Sequence, residues 1–144
     1  MAFSAFPASG DADPIVRRLR WVMVCTILLD FTLTLLGQPE SYWRHPETMH
    51  EANALSRLFL GYGWMVFILY ALFYAWAAFQ MASILPRMIA LTCIFSFIFG
   101  TFSGASNWFF YQWRIGMQAP IIYGVALSVI IVLLAFPAFQ ERNG

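Results

Sequence analysis

Lysine is missing from this 144-residue sequence, and charge of either sign is scarce: acidic and basic residues together make up 10%. A soluble domain carries about 25% charged residues and about 45–50% apolar ones. Here 61% are hydrophobic, so there is too little polar surface to cover a water-soluble globule. The net charge of +1 offers no basic excess for nucleic acid, and no nucleic-acid partner is expected. Cysteine is nearly absent too. Cys25 and Cys93 both fall in apolar runs, and no Cys-x-x-Cys occurs. Thiol oxidoreduction is therefore disfavoured, and the pair reads as two small buried hydrophobes. No His-x-x-x-His pair is present, and neither His45 nor His50 lies in an apolar run. No metal site, haem or other cofactor is expected.

What remains is an abundance of long apolar runs and aromatic rings, with 19% Phe, Trp and Tyr. A helix crosses the hydrocarbon layer in about 20 apolar residues. The sequence accordingly reads as one all-α domain over residues 1–144, a polytopic integral membrane protein built as a four-transmembrane-helix bundle. Residues 1–16 are read as a flexible N-terminal segment. The spans are placed at about 19–37, 55–83, 88–105 and 119–136. Gly37 and Pro39 close the first, Pro86-Arg87 turns between the second and third, and Pro137 closes the fourth. A helix is expected to start near Pro46 or Glu47 and to continue into the second span. Trp108, Phe109, Phe110, Tyr111 and Trp113 read as an interfacial aromatic belt ahead of a short loop at Arg114. Phe95, Phe97, Phe99 and Phe102 read as lipid contacts. No small-x-small cleavage site follows the first apolar run, so that run is expected to be retained.

Orientation follows from arginine. Arg17, Arg18, Arg20, Arg87 and Arg142 lie on one side of the expected bundle, and Arg44, Arg57 and Arg114 on the other. The positive-inside rule then puts both termini in the cytoplasm of a bacterial inner membrane and the loop 38–54 outside.

Asp30 stands in the middle of the first span. An aspartate there costs about 2.5–3.5 kcal/mol on insertion scales. The neighbouring Leu, Ile, Val and Phe offset this by roughly 3–5 kcal/mol in total. The span is marginal by itself and needs packing from the others. Thr26, Asp30, Thr34 and Gly37 share one helical face, which must point into the bundle. Thr92, Ser96, Asn107 and Arg57 are the candidate partners of Asp30. A second polar group, His50, Glu51, Asn53 and Arg57, marks the approach to the second span. Its spacing is poor for a metal, because consecutive helical residues point about 100° apart. Ser96, Gly100 and Gly104, with Gly124 and Ser128, repeat at four-residue spacing and read as a packing seam between spans three and four.

Asp30-x-x-x-Thr34, then a loop, then Glu51-x-Asn53-x-Leu55 resembles a group of small prokaryotic four-span membrane proteins without an assigned activity. In that group a proline follows the Asn, where Ala54 stands here. The resemblance covers under a third of the chain. It implies that Asp30, Thr34, Glu51 and Asn53 meet at the outer end of spans one and two.

Three functions compete. The first expectation is an accessory or structural subunit of a larger membrane complex, with the lipid bilayer and other membrane subunits or a second copy as partners. The alternative is a small proton-coupled transporter using Asp30. An intramembrane enzyme using Asp30, His50 and Glu51, with Ser56 nearby, ranks below both, and no residue is assigned a catalytic role.

Overall fold

The computed structural model describes residues 13–109, 116 and 118–143, with side chains through residue 134. It is all-helical, with no strand among the described residues. The helices are α1 (Pro14–Leu36), α2 (Ala54–Gly61), α3 (Trp64–Ile84), α4 (Arg87–Asn107) and α5 (Gln118–Asn143). Single 3₁₀ turns at Glu40–Trp43 and Pro46–Thr48 interrupt the segment between α1 and α2. α1, α3 and α4 are each long and apolar enough to cross a membrane, and α5 adds an apolar stretch over Gln118–Leu134.

α1 starts earlier than the composition suggested. Asp13 caps it, accepting from the Ile15 and Val16 amides at 2.9 and 3.2 Å, and Pro14 occupies the first turn, where its missing N–H costs nothing. Residues 14–16, assigned above to a flexible segment, are therefore helical; residues 1–12 lie outside the described residues.

The stretch 55–83 is two helices rather than one. Gly63 adopts φ 101°, a conformation that L side chains avoid, and separates α2 from α3. Pro46 does not begin the long helix either. It opens one 3₁₀ turn, and α2 begins only at Ala54, with Asn53 as its cap. At the other end of the chain, α5 runs on through Pro137 to Asn143, past the proline expected to stop it. The expected belt residues Phe110, Tyr111 and Trp113, and the loop residue Arg114, lie outside the described residues.

α1 is the central helix. Half of its most apolar window is buried inside the protein, against 28% for α3 and α4. It packs on α3, α4 and α5, which touch one another less. α3 runs antiparallel to it, with Trp21 against Phe79 near one end and Phe31 against Phe67 near the other. α4 runs parallel to it in constant register: Asp13 meets Arg87, Asp30 meets Gly104 and Thr34 meets Trp108, each pair 74 residues apart.

The close approach comes from alanine. Ala71, Ala75, Ala78 and Ala82 are the buried positions of α3, joined by Phe67, and Ala90 and Ala105 lie in the buried line of α4. Small residues at helical spacing let backbones come together without a large side chain between them. Against them α1 lays Ile15, Val16, Leu19, Val22, Met23 and Ile27, and this core fills the half of the bundle around the first turns of α1. A smaller core of Tyr42, Leu60 and Phe67 sits under the loop at the opposite end. Asp30 lies where the main core gives out.

Candidate functional site

The carboxyl of Asp30 rests on the backbone of α4. A Cβ added at Gly104 would sit 2.6 Å from Asp30 Oδ1, so the close approach needs glycine there. Oδ1 is fully buried and has no hydrogen-bond partner among the described residues. Buried polar atoms are usually satisfied, and such an exception calls for an explanation.

Two adjoining cavities reach this carboxyl. The larger, about 480 Å³, lies between α1, α3 and α4 beneath the start of α2, and is lined by Asp30, Phe31, Ser56, Tyr70, Tyr74 and Phe97, with Thr92, Cys93, Ser96, Gly100 and Thr101 along α4. The smaller, about 300 Å³, lies toward the loop and is lined by Asp30, Thr34, His50, Glu51, Asn107 and Trp108. Asp30, Asn53, Ser56 and Gly100 border both. Small-molecule sites span about 300–1,000 Å³, so the larger cavity is of ligand size.

The loop over the cavity is held by a residue that the sequence reading passed over. Gln38 is buried, and its amide is used at both ends. Nε2 donates to the Thr34 carbonyl at 2.9 Å and the His50 carbonyl at 3.0 Å, while Oε1 accepts from the His50 amide at 2.8 Å. This clasp fixes residue 50 beside the end of α1. Tyr42 pins the same layer, donating to the Leu60 carbonyl at 3.2 Å, and its burial pushes the phenol above its ordinary pKa. Trp108 closes the α4 side. Its ring lies against Gly37, and its Nε1 donates to Thr34 Oγ1 at 3.0 Å.

The Glu-x-Asn motif has a structural job. Asn53 Oδ1 accepts from the Leu55 and Ser56 amides at 2.9 and 3.2 Å, and Glu51 Oε1 accepts from the Asn53 amide at 2.7 Å. These nested caps start α2 at Ala54 by satisfying amides that the first turn of a helix leaves unpaired. The same segment places Glu51 on the lining of the smaller cavity together with Asp30.

Asp30, Thr34, His50, Glu51 and Asn53 thus border one cavity, with Thr34 engaged by Trp108. His50 and Glu51 precede α2 and stand outside any helix, so they do not share one with Arg57. Arg57 borders neither cavity; it is exposed and forms no ion pair with Asp30. Ser96 and Gly100 line the cavity instead of a seam with α5, and nothing lies within 4 Å of a Cβ built at Gly100. Gly104 serves α1, Gly124 meets Phe102 of α4, and Ser128 is exposed. Cys25 is exposed rather than buried, and Cys93 is half-buried in the cavity wall; both are free. Phe95 and Phe99 are exposed, whereas Phe97 belongs to the wall. Among the described residues, no three His, Cys, Asp or Glu side chains gather as a metal site would require.

Phe31, Tyr70, Tyr74 and Phe97 make a continuous aromatic wall, with successive ring centroids 5.3–5.8 Å apart. Nothing in the sequence separated these rings from the many that face outward, because α3 is apolar all round. The chain matches no family model, no curated protein and no solved structure, so its function is read from this site.

Proposed function

We propose that the protein is a small membrane transporter whose solute engages Asp30, with the Asp30 carboxyl carrying the coupled proton. The observation that supports this most is the buried, unpartnered Asp30 Oδ1 at the meeting of two cavities. A carboxyl kept only for packing would be expected to spend its oxygens on neighbouring donors, since a buried acceptor left unmet costs about 1–3 kcal/mol. Solute enters from the loop side, past His50, Glu51 and Asn107. The opposite half of the bundle is packed shut around Leu19, Met23 and Ile27. With the arginines flanking the start of α1 in the cytoplasm, the open side faces outward across a bacterial inner membrane. A role as an accessory subunit accounts for the exposed apolar faces no better than lipid contact does, and it gives no purpose to the cavity.

The test is reconstitution in liposomes loaded with a pH-sensitive dye. Organic ammonium ions, amino acids, carboxylates and sugars are added in turn to wild-type and Asp30→Asn protein. At least one class is expected to move protons through the wild type and none through the variant. Silence of the wild type toward every class would overturn the transport reading.

A further inference from the structure

We infer that the solute is an organic ammonium ion, whose charged head sits between Asp30 and the aromatic wall of Phe31, Tyr70, Tyr74 and Phe97. This deepens the transport reading and rests on it for the site, but its evidence is the charge and the surface of the cavity.

The charge comes first. The ionisable groups bordering the two cavities are Asp30, Glu51 and His50, and also Cys93, Tyr70 and Tyr74; no arginine is among them. The chain has no lysine, and Arg57, the nearest arginine in sequence to the cavity lining, stands outside. A solute that reaches Asp30 passes Glu51, so an anion is opposed by both carboxyls. A cation meets two attractive charges, one of them at the floor of the site.

The surface then decides which cation. Inorganic ions such as calcium need about 6–8 oxygen ligands. Here, among the described residues, Asp30 is the one carboxylate lining the larger cavity, and Asn53 Oδ1 beside it already accepts from two backbone amides. The wall facing α1 is built of rings instead. An ammonium head within about 6 Å of a ring centroid is attracted by the negative face of the π-system, and the attraction grows when water is excluded. Tyr74 is central. It contacts Phe31 at 5.7 Å, Tyr70 at 5.8 Å and Phe97 edge-on at 5.8 Å, and it lines the larger cavity together with Asp30. Phe59 of α2 stacks on Tyr70 at 4.0 Å and stiffens the wall from behind. A cavity of about 480 Å³ holds a trimethylammonium head together with a small apolar body lying toward Cys93 and Phe97.

Cys93 provides the readout. In Cys25→Ser protein it is the one remaining thiol, and it borders the cavity without touching Asp30's role. Its alkylation by a neutral maleimide is followed in detergent with benzyltrimethylammonium, benzyl alcohol or benzenesulfonate present. Benzyltrimethylammonium is expected to slow the reaction about tenfold at saturation, while the neutral and anionic compounds leave it unchanged. Asp30→Asn is expected to remove the protection. Tyr74→Leu, which keeps an apolar side chain but no ring, is expected to weaken it about fivefold, the equivalent of one exposed cation–π contact. Equal protection by benzyl alcohol, or full protection in both variants, would overturn the inference. If amino acids, carboxylates or sugars drive Asp30-dependent proton movement in liposomes while the ammonium ion fails to protect Cys93, transport stands and the ammonium assignment falls. If the ammonium ion protects Cys93 in an Asp30-dependent way and no solute moves protons, the ammonium site stands and transport falls.

Discussion

Two aspartates on one helix, Asp13 and Asp30, are treated in opposite ways. At the start of α1, Asp13 uses both oxygens: one caps the helix through two backbone amides, and the other meets Arg87 Nε at 2.7 Å. Arg20 is buried, yet it donates to Ser83 Oγ and lies 4.3 Å over the Phe79 ring. Around Asp30 the same packing of α1 on α4 yields a carboxyl pressed against glycine, with a buried oxygen left without a donor and a cavity in front of it. One end of the bundle spends its charges on the fold. The other leaves a buried carboxyl oxygen unspent beside a cavity.

The contrast can be broken most forcefully at Asp13. Asp13→Ala is expected to cost about 2–4 kcal/mol, from a lost cap and an Arg87 deprived of its partner, read as a lower unfolding temperature in detergent. Asp30→Asn is expected to leave stability within about 1 kcal/mol of wild type, because no bond is lost. A smaller effect separates two glycines of one stripe. Gly104→Ala drives a methyl into the Asp30 carboxyl, and benzyltrimethylammonium affinity is expected to fall about tenfold, some 1.4 kcal/mol. Gly100→Ala meets nothing within 4 Å and is expected to leave stability unchanged or slightly raised. Next comes the clasp. Gln38→Leu removes three hydrogen bonds and is expected to speed amide exchange across residues 45–53, with about 1–2 kcal/mol lost locally. The smallest effect is alkaline. Tyr42's folded pKa lies above its unfolded one, so the stability it contributes is present below about pH 10 and is lost as pH rises toward and through the folded value. Tyr42→Phe is expected to flatten that part of the pH profile.

The sequence made α1 and its odd residue legible because an acid in an apolar run is costly wherever it occurs. It also set Glu51 and Asn53 in one polar group ahead of the second span. It could not show that Glu51 and Asn53 are nested caps, since a cap depends on where the helix begins, and Pro46 opens a 3₁₀ turn while α2 starts only at Ala54. The packing seam was sought in the glycines and serines of α4 and α5. The close contacts of α1 with α3 use alanines, whose spacing is hidden in a helix with no polar face to orient it, while Gly104 of the stripe packs on α1 and Gly124 on Phe102 of α4. Gln38 was invisible for a related reason: its value lies in reaching the backbone of residue 50, a contact made only after the chain turns over the end of α1.

The most direct test sets both properties of Asp30 side by side in one preparation. Wild-type and Asp30→Asn protein are compared for unfolding temperature and for protection of Cys93 by benzyltrimethylammonium. The expected result is an unfolding temperature that stays the same or rises while protection disappears. An Asp30→Asn protein that unfolds as readily as Asp13→Ala, or that still protects Cys93, would contradict the account.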